Sequence, residues 1–279
     1  MSHRDGQSGR GRRGGGGQRQ WRPNVGERGK QVIEGLDENS PVIQSFRKFA
    51  LELDTKHDRY ERIVKHSRDI TIESKRIIFL LHSIDSESKR ETVLTEAQNR
   101  INQLNSTIFK EIAIELKGQD SYQYLRSFSA GLQEYIEAVT FLFYLRDGKL
   151  PHWDEIQQNI VYDEEKVHLD PVEYFLGVGD LTGELMRCCI QSLGTGSTKS
   201  CYEACSFVRD IYIGFISVSS PGHREFSRKL FVLRQSLSKM EMACYTLAVR
   251  GNEIPKHMLA DVFSSSEVHD AHDEGFCVD

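Results

Sequence analysis

The 279-residue chain is poor in proline and glycine over long stretches. None of its six prolines lies between Pro41 and Pro151, and no glycine lies between Gly35 and Gly118. Both residues mark turns, and proline also removes a backbone hydrogen-bond donor. Their absence over such lengths excludes a turn-rich β fold and leaves helices as the predicted structure.

The chain also lacks a long apolar run. No segment approaches the roughly 18 apolar residues that a membrane-spanning helix needs. The amino terminus carries positive charge, but no apolar core follows it, so it is not typical of a secretory signal. These absences disfavour a membrane protein and a secreted protein, and we expect no membrane partner.

The six cysteines lie late in the chain and never form C-x-x-C, which disfavours a zinc knuckle or a thioredoxin-like motif. Cys201 and Cys205 are four residues apart, but no histidine near them in the sequence indicates a metal site. We therefore predict reduced cysteines that pack as small hydrophobic residues in a cytosolic protein.

The net charge of −5 is unevenly distributed. Residues 1–30 hold eight Lys or Arg against two acidic residues, a net of +6 that leaves −11 for the rest of the chain. We predict that residues 1–38 form a disordered, Arg/Gly-rich basic arm that binds nucleic acid or directs nuclear import. A solubilising tail without a specific partner fits this composition equally well. An acidic disordered tail is predicted over 265–279.

Between these ends, apolar residues recur every three or four positions, which is typical of helices packed in a bundle. We predict an all-α, antiparallel bundle of about seven helices, several of them very long, in one domain over 39–264. The first five predicted helices begin at or near Pro41, Ser88, Tyr122, Pro171 and Thr198. Pro221-Gly222 leads into the sixth, Pro255 begins a short seventh, and a polar connector occupies about 148–169.

The third predicted helix carries two adjacent carboxylates, Glu134 and Glu137, in the sequence E-Y-I-E. Both faces of this helix are rich in apolar residues, so it is predicted to be covered on two sides. Two carboxylates in such surroundings repel each other and lose hydration unless protons or cations compensate. A solvated helix face remains an equally good interpretation of the pair.

The fourth predicted helix carries Asp180 and Glu184, one turn apart in D-L-T-G-E. Periodicity alone favours a solvent-exposed face for this polar stripe. The glycines at 177, 179 and 183 argue against it, because glycine destabilises a helix unless a backbone or ligand must approach closely.

If the two stripes face each other, four carboxylates meet with no histidine nearby. Neither helix contains E-x-x-H, which argues against a ferritin-like di-iron site. An all-oxygen cluster suits Mg²⁺ or Mn²⁺, ions that activate water and stabilise a phosphodiester transition state. Arg68, Lys75 and Arg76 are candidate contacts to nucleic acid, although a charged face on a long helix is usually solvated.

Four segments resemble the translin family, and within it the branch that associates with translin. They are HDRYERIVKHSRDITIESKRIIFLLH (57–82), GLQEYIEAVTF (131–141), PVEYFLGVGDLTGELMR (171–187) and VRGNEIPKHMLADVF (249–263). The resemblance runs from about residue 41 to 263. It implies a seven-helix bundle built into a hetero-octameric shell with translin, in the cytoplasm and the nucleus.

The resemblance also implies a function. Such a complex is a metal-dependent endoribonuclease that binds single-stranded RNA or DNA, cleaves single-stranded RNA and assists the RNA-induced silencing complex by degrading passenger strands. The family's acidic motifs fall on Glu134, Glu137, Asp180 and Glu184, which would be the catalytic residues and the Mg²⁺ (or Mn²⁺) ligands. The alternative is a non-catalytic nucleic-acid-binding or scaffold subunit whose acids only shape the surface.

Overall fold

A computed structural model of the chain describes residues 37, 39–163, 165–195, 198–218 and 224–250. The chain divides into two compact units, one ending at Thr55 and the other beginning at Lys56. The predicted helix from Pro255, the acidic tail and all of the basic arm except Asp37 lie outside the described residues. The predicted domain limits therefore stay predictions.

The described residues are overwhelmingly helical, which confirms the all-α prediction. The helices are α1 (Pro41–Leu81), α2 (Glu87–Leu104), α3 (Lys110–Leu116), α4 (Ser121–Asp147), α5 (Trp153–Gln158), α6 (Pro171–Thr195), α7 (Thr198–Ser217) and α8 (Arg224–Arg250). A π-helical turn over Asn105–Phe109 joins α2 to α3, so the single second helix that the sequence predicts is continuous but contains one wider, underwound turn. Among the described helices, none is long and apolar enough to cross a membrane.

The ends of α4 follow from its sequence. The Asp120 carboxylate precedes the first turn and accepts a hydrogen bond from the Tyr122 backbone N–H at 3.0 Å, which satisfies one of the free donors there. At the other end Gly148 adopts φ +63°, a left-handed conformation that ends the helix. The helix that carries Glu134 and Glu137 is thus fixed at both ends by local chemistry.

The connector after α4 is more ordered than its polarity indicates. It contains α5 and two antiparallel strands, β1 (Val161–Tyr162) and β2 (Glu165–Lys166), with Val161 opposite Lys166. Four of its apolar side chains are fully buried: Ile156, Ile160, Val167 and Leu169. These four buried side chains anchor the predicted polar connector to the rest of the second unit.

The core of the second unit lies around α4. This helix packs against α6, and α6 packs in turn against α7 and α8. Leu132, Tyr135 and Val139 on one side of α4 and Phe141 on the other are all buried. The prediction that α4 is covered on two sides is confirmed, and its middle turns are therefore a place where any polar group is removed from bulk water.

In the first unit, the start of α1 departs from expectation. The apolar repeat there predicts a buried seam, but Val42, Phe46, Phe49 and Leu53 are each more than half exposed. A contiguous apolar stripe of this kind is a feature of surfaces that another chain covers.

Candidate acidic site

The stripe of α6 that carries Asp180 and Glu184 lies against α4. A Cβ atom built on Gly177 would lie 2.7 Å from the Ile136 Cβ atom and 2.9 Å from the Gln133 carbonyl oxygen, so any side chain there would push the helices apart. Glycine at 177 thus allows α6 to approach α4 closely. The interpretation of this stripe as a solvent face was wrong.

Glu173, one turn before Gly177, also brings α6 into contact with α4. Its carboxylate is buried and accepts hydrogen bonds from Ser129 Oγ at 2.8 Å and from Gln133 Nε2 at 2.6 Å, both on α4. These bonds fix the rotation of α6 about its axis. The next polar residues of the stripe, Asp180 and Glu184, consequently face the segment of α4 that holds Glu137.

Glu137 lies at the centre of this arrangement with only 9% of its surface exposed. Burial, followed by the negative charges of Asp180, Glu134 and Glu184, raises the pKa of its carboxyl to about 8, although the Lys229 ammonium acts in the opposite direction. The four predicted acids therefore interact as one group, which we call the acidic cluster (Glu134, Glu137, Asp180 and Glu184).

Two of the other three acids are paired with lysines. The Lys75 ammonium on α1 lies 3.0 Å from Glu134 Oε1, and this pairing raises the pKa of Lys75. The Lys229 ammonium on α8 contacts Asp180 Oδ1. These lysines come from helices distant in sequence, so the cluster is enclosed by α1, α4, α6 and α8.

A histidine also lies at the cluster, contrary to the expectation that none would be near. His82 Nε2, just after the end of α1, is 2.5 Å from Glu184 Oε2, and Arg187 lies 3.0 Å from the same oxygen. Burial opposes ionisation of Glu184, but the His82 hydrogen bond and the Arg187 charge outweigh it and hold its pKa below the ordinary value. The one sequence signal was that His82 follows Lys75 by seven residues, which places both on one helix face.

The donor chemistry of the cluster suits a hard cation, because its four predicted ligands offer only carboxylate oxygens. The positions are not yet those of a ligand shell. Across the described part of the chain, no three of these acids bring oxygens within 4.8 Å of one another; the only such group of potential ligands consists of cysteines. In this arrangement the ammonium groups of Lys75 and Lys229 neutralise the charges of Glu134 and Asp180.

The other glycines of α6 differ in their surroundings. A Cβ atom on Gly179 would lie 3.3 Å from the Lys229 Cβ atom, so this glycine allows α8 to bring its ammonium group to Asp180. A Cβ atom on Gly183 would meet nothing within 4 Å. Close packing therefore explains the first two glycines but not Gly183, which lies in open space between Asp180 and Glu184.

The comparisons with known proteins agree with this fold. The model of the Translin family matches residues 58–251. Translin-associated protein X of Pongo abelii is 46% identical over 257 residues, covering 84% of this chain and 88% of that protein. The crystal structure of apo-NeC3PO has a TM-score of 0.55 at 20% identity, covering 72% of this chain and 95% of that one. The AfC3PO–duplex RNA complex has a TM-score of 0.51 at 17% identity, covering 82% and 99%.

The two structural likenesses are at low identity and show the fold alone. The family match extends over most of the described chain, and the 46% identity to Translin-associated protein X extends over 84% of the chain. The resemblance that the sequence motifs indicate is thereby confirmed, and the chain belongs to the translin family.

Proposed function

We propose that the chain is the catalytic subunit of a Mg²⁺-dependent (or Mn²⁺-dependent) endoribonuclease that assembles with translin and cleaves single-stranded RNA. The single observation that carries the proposal is the Glu137 carboxyl, which is buried among three other acids. Such an arrangement opposes folding unless a proton or a cation compensates the charge, and perturbed carboxylates of this kind are typical of active sites.

In this proposal Glu134, Glu137, Asp180 and Glu184 hold the cation. Bound Mg²⁺ supplies charge neutralisation at the scissile phosphate and activation of water. Glu137 keeps a proton near neutral pH, since its pKa is about 8, and gives that proton up when positive charge enters the cluster. The cluster therefore couples binding of a cation to release of a proton.

The two lysines gain a role once their acids have another counterion. Lys75 and Lys229 form ion pairs with Glu134 and Asp180. If a bound cation took over the neutralisation of those two acids, the lysines would be free beside the cluster. An ammonium group binds phosphate oxygens as a point charge. We infer that the lysines position the RNA backbone, with the exposed Lys75 reaching it more easily than the largely buried Lys229.

Assembly with a partner is supported by uncovered apolar surface. On α8, Phe231, Met242, Tyr245 and Val249 lie on one face, and each is at least half exposed. The relative named Translin-associated protein X suggests translin as the partner, and the duplex RNA in the AfC3PO complex supports nucleic-acid binding. We expect the chain expressed alone to aggregate and co-expression with translin to rescue it. A monodisperse isolated monomer in light scattering would argue against this.

The alternative is a non-catalytic scaffold subunit of a translin complex. The observation in its favour is that three of the four acids already have basic partners: Lys75, Lys229 and His82. In a scaffold these pairs would only join α1 and α8 to the α4–α6 pair. This function requires no cation, so the two proposals differ in their response to chelation.

The deciding experiment is a nuclease assay of the reconstituted complex with translin, on a single-stranded RNA, in Mg²⁺ and in EDTA. Asp180→Asn removes one predicted ligand charge while keeping the side-chain shape, and we expect the cleavage rate to fall by about two orders of magnitude or more. Glu91→Gln is the matched control, because it makes the same kind of charge change at an exposed acid on α2 outside the cluster.

We expect EDTA to abolish wild-type cleavage, Mg²⁺ to restore it, and the control to stay within a few-fold of wild type. Cleavage that persists through exhaustive chelation, or an Asp180→Asn variant as active as the control, would favour the scaffold. The role in silencing is tested separately, by following loss of a nicked passenger strand from loaded silencing complexes with and without the wild-type assembly.

A further inference from the structure

Three cysteine thiols converge at a buried point away from the acidic cluster. Cys189 on α6, Cys201 on α7 and Cys244 on α8 have sulfur atoms that all lie within 4.8 Å of one another. Cys201 lies between the other two, with its Sγ atom 2.7 Å from that of Cys189 and 3.6 Å from that of Cys244. The side chains are almost completely removed from solvent, at 1%, 0% and 9% exposure.

A fourth cysteine adjoins this group. Cys205 follows Cys201 by one turn of α7 and is 3% exposed, and its thiol lies close enough to that of Cys244 for the two groups to influence each other's pKa. Cysteines from three helices therefore present four sulfur atoms to one small region. We call this the thiol cluster (Cys189, Cys201, Cys205 and Cys244).

We propose that the thiol cluster is a binding site for a thiophilic cation, Zn²⁺ or Cu⁺, with Cys189, Cys201 and Cys244 as ligands and Cys205 as the candidate fourth. Soft thiolate ligands select these ions over Mg²⁺ or Ca²⁺. In a tetrahedral zinc site with Zn–S bonds of about 2.3 Å, two sulfurs lie about 3.8 Å apart. The spacing of Cys201 and Cys244 is close to that value, and Cys189 would have to move away by about 1 Å.

The geometry of the thiol cluster favours ion binding over three ordinary thiols. The Cys201 sulfur lies within hydrogen-bonding distance of the sulfurs of both Cys189 and Cys244, so the three side chains already converge on one point. A disulfide is the other arrangement that would bring two sulfurs close. It would join Cys189 to Cys201 but leave Cys244 and Cys205 without a role, whereas a cation uses the whole group.

A cation here would tie α6, α7 and α8 together. Cys189 lies five residues after Glu184 on α6, and α8 also carries Lys229, so the same helices position the acidic cluster. The ion would be structural, because a site closed by four protein ligands leaves no position for a substrate. This inference is independent of nuclease activity and holds for a catalytic or a scaffold subunit.

The experiment measures metal per chain in the full-length protein, purified in a phosphine reductant without chelators, with translin present if it is needed for solubility. We expect about one zinc or copper per chain in excess of the translin contribution. Cys201→Ser and Cys189→Ser should each lower that excess about tenfold or more, because each removes a ligand. Elemental analysis distinguishes zinc from copper.

Cys188→Ser is the matched control. This cysteine is the sequence neighbour of Cys189, but its Sγ atom points to His82 Nδ1 at 3.7 Å, so the variant should keep the wild-type metal content. Since a serine variant could fail to fold, the wild-type protein is also stripped of metal and titrated with Co²⁺. Sulfur-to-cobalt charge-transfer absorption that Zn²⁺ displaces is the expected result.

The proposal is overturned if the wild-type protein holds no zinc or copper and shows no sulfur-to-cobalt absorption. It is also overturned if the metal content is the same in wild type and Cys201→Ser. A count of six reactive thiols in the denatured, metal-free protein would then mean ordinary buried cysteines, and a count of four would mean a disulfide.

Discussion

The structure makes its most specific prediction for Glu137→Gln, which should change how stability depends on pH. The wild-type carboxyl is buried beside three acids, and its pKa rises from 4.5 to about 8 on folding. That difference corresponds to about 5 kcal/mol of repulsion and lost hydration when the group is ionised, as an upper limit. Glutamine keeps the shape of the side chain and never ionises. We therefore expect the variant to be more stable than wild type at high pH.

The sign of the pH dependence follows from which state holds the proton. Between pH 4.5 and about 8 the folded protein keeps the Glu137 proton while the unfolded chain has lost it, so the free energy of unfolding falls as pH rises. This group alone contributes a slope of about −1.4 kcal/mol per pH unit in that window. Glu137→Gln should remove this contribution, so its advantage over wild type grows from near zero at pH 4.5 to a few kcal/mol at pH 8 and above.

The assay is urea unfolding of the assembled protein in EDTA, from pH 5 to pH 9, for both proteins. Glu91→Gln, which neutralises an exposed acid on α2 outside the acidic cluster, is the control and should keep the wild-type slope. A variant curve parallel to that of wild type would refute the account of Glu137. Repeating the series in Mg²⁺ tests the nuclease proposal, because a bound cation should stabilise wild type most at high pH and leave the variant almost unchanged.

Two further predictions concern the contacts that build the site. Gly177→Ala should destabilise the protein by about 1–3 kcal/mol, because the added methyl group meets Ile136 on α4. Gly183→Ala should instead stabilise it by up to about 1 kcal/mol, because the space around that position is open. Chemical denaturation of the two variants compares them directly, and equal changes in the free energy of unfolding would contradict this account of the packing. Lys229→Met removes a positive charge that lowers the pKa of the Glu137 carboxyl, so that pKa should rise. The free energy of unfolding should then continue to fall to a higher pH than in wild type before it levels off. Lys75→Met should shift that pH less, because 62% of that side chain is exposed, and an equal shift in the two pH–stability curves would contradict this difference.

Most of the fold could be predicted from the sequence because helix ends have local causes. Pro41 and Pro171 begin α1 and α6, and Gly148 follows the last residue of α4. The connector between α4 and α6 could not be predicted in the same way. Its few apolar residues, such as Ile160 and Val167, have no helical period, and their burial depends on contacts with distant helices.

The candidate site was only partly predictable, since periodicity describes one helix at a time. The apolar residues on both sides of Glu137 indicated burial, and the structure confirms it. The stripe of α6 looked solvent-exposed because its acids are polar. What turns it inward is the contact between Gly177 and Ile136, and no pattern within α6 encodes the position of α4.

The sequence gives little indication of the basic partners of the acidic cluster or of the thiol cluster. Lys75, His82 and Lys229 come from the other helices that enclose Asp180 and Glu184. A metal-binding motif is recognised by close spacing in sequence, whereas the ligands proposed for the thiol cluster come from three helices. Such groups become visible only when the packing of the bundle is known.

The acids of the cluster do not all have the same significance. Glu134, Asp180 and Glu184 each have a basic partner, so a scaffold would explain them. Among the described residues, Glu137 has no basic partner within ion-pairing distance, and its ionised form costs stability that a hydrophobic residue would not. A chain selected only for assembly gains nothing from this carboxyl. In a chain that must hold a cation, Glu137 is a useful ligand, because cation binding relieves its repulsion with the other acids of the cluster. This is the physical reason to favour the nuclease over the scaffold.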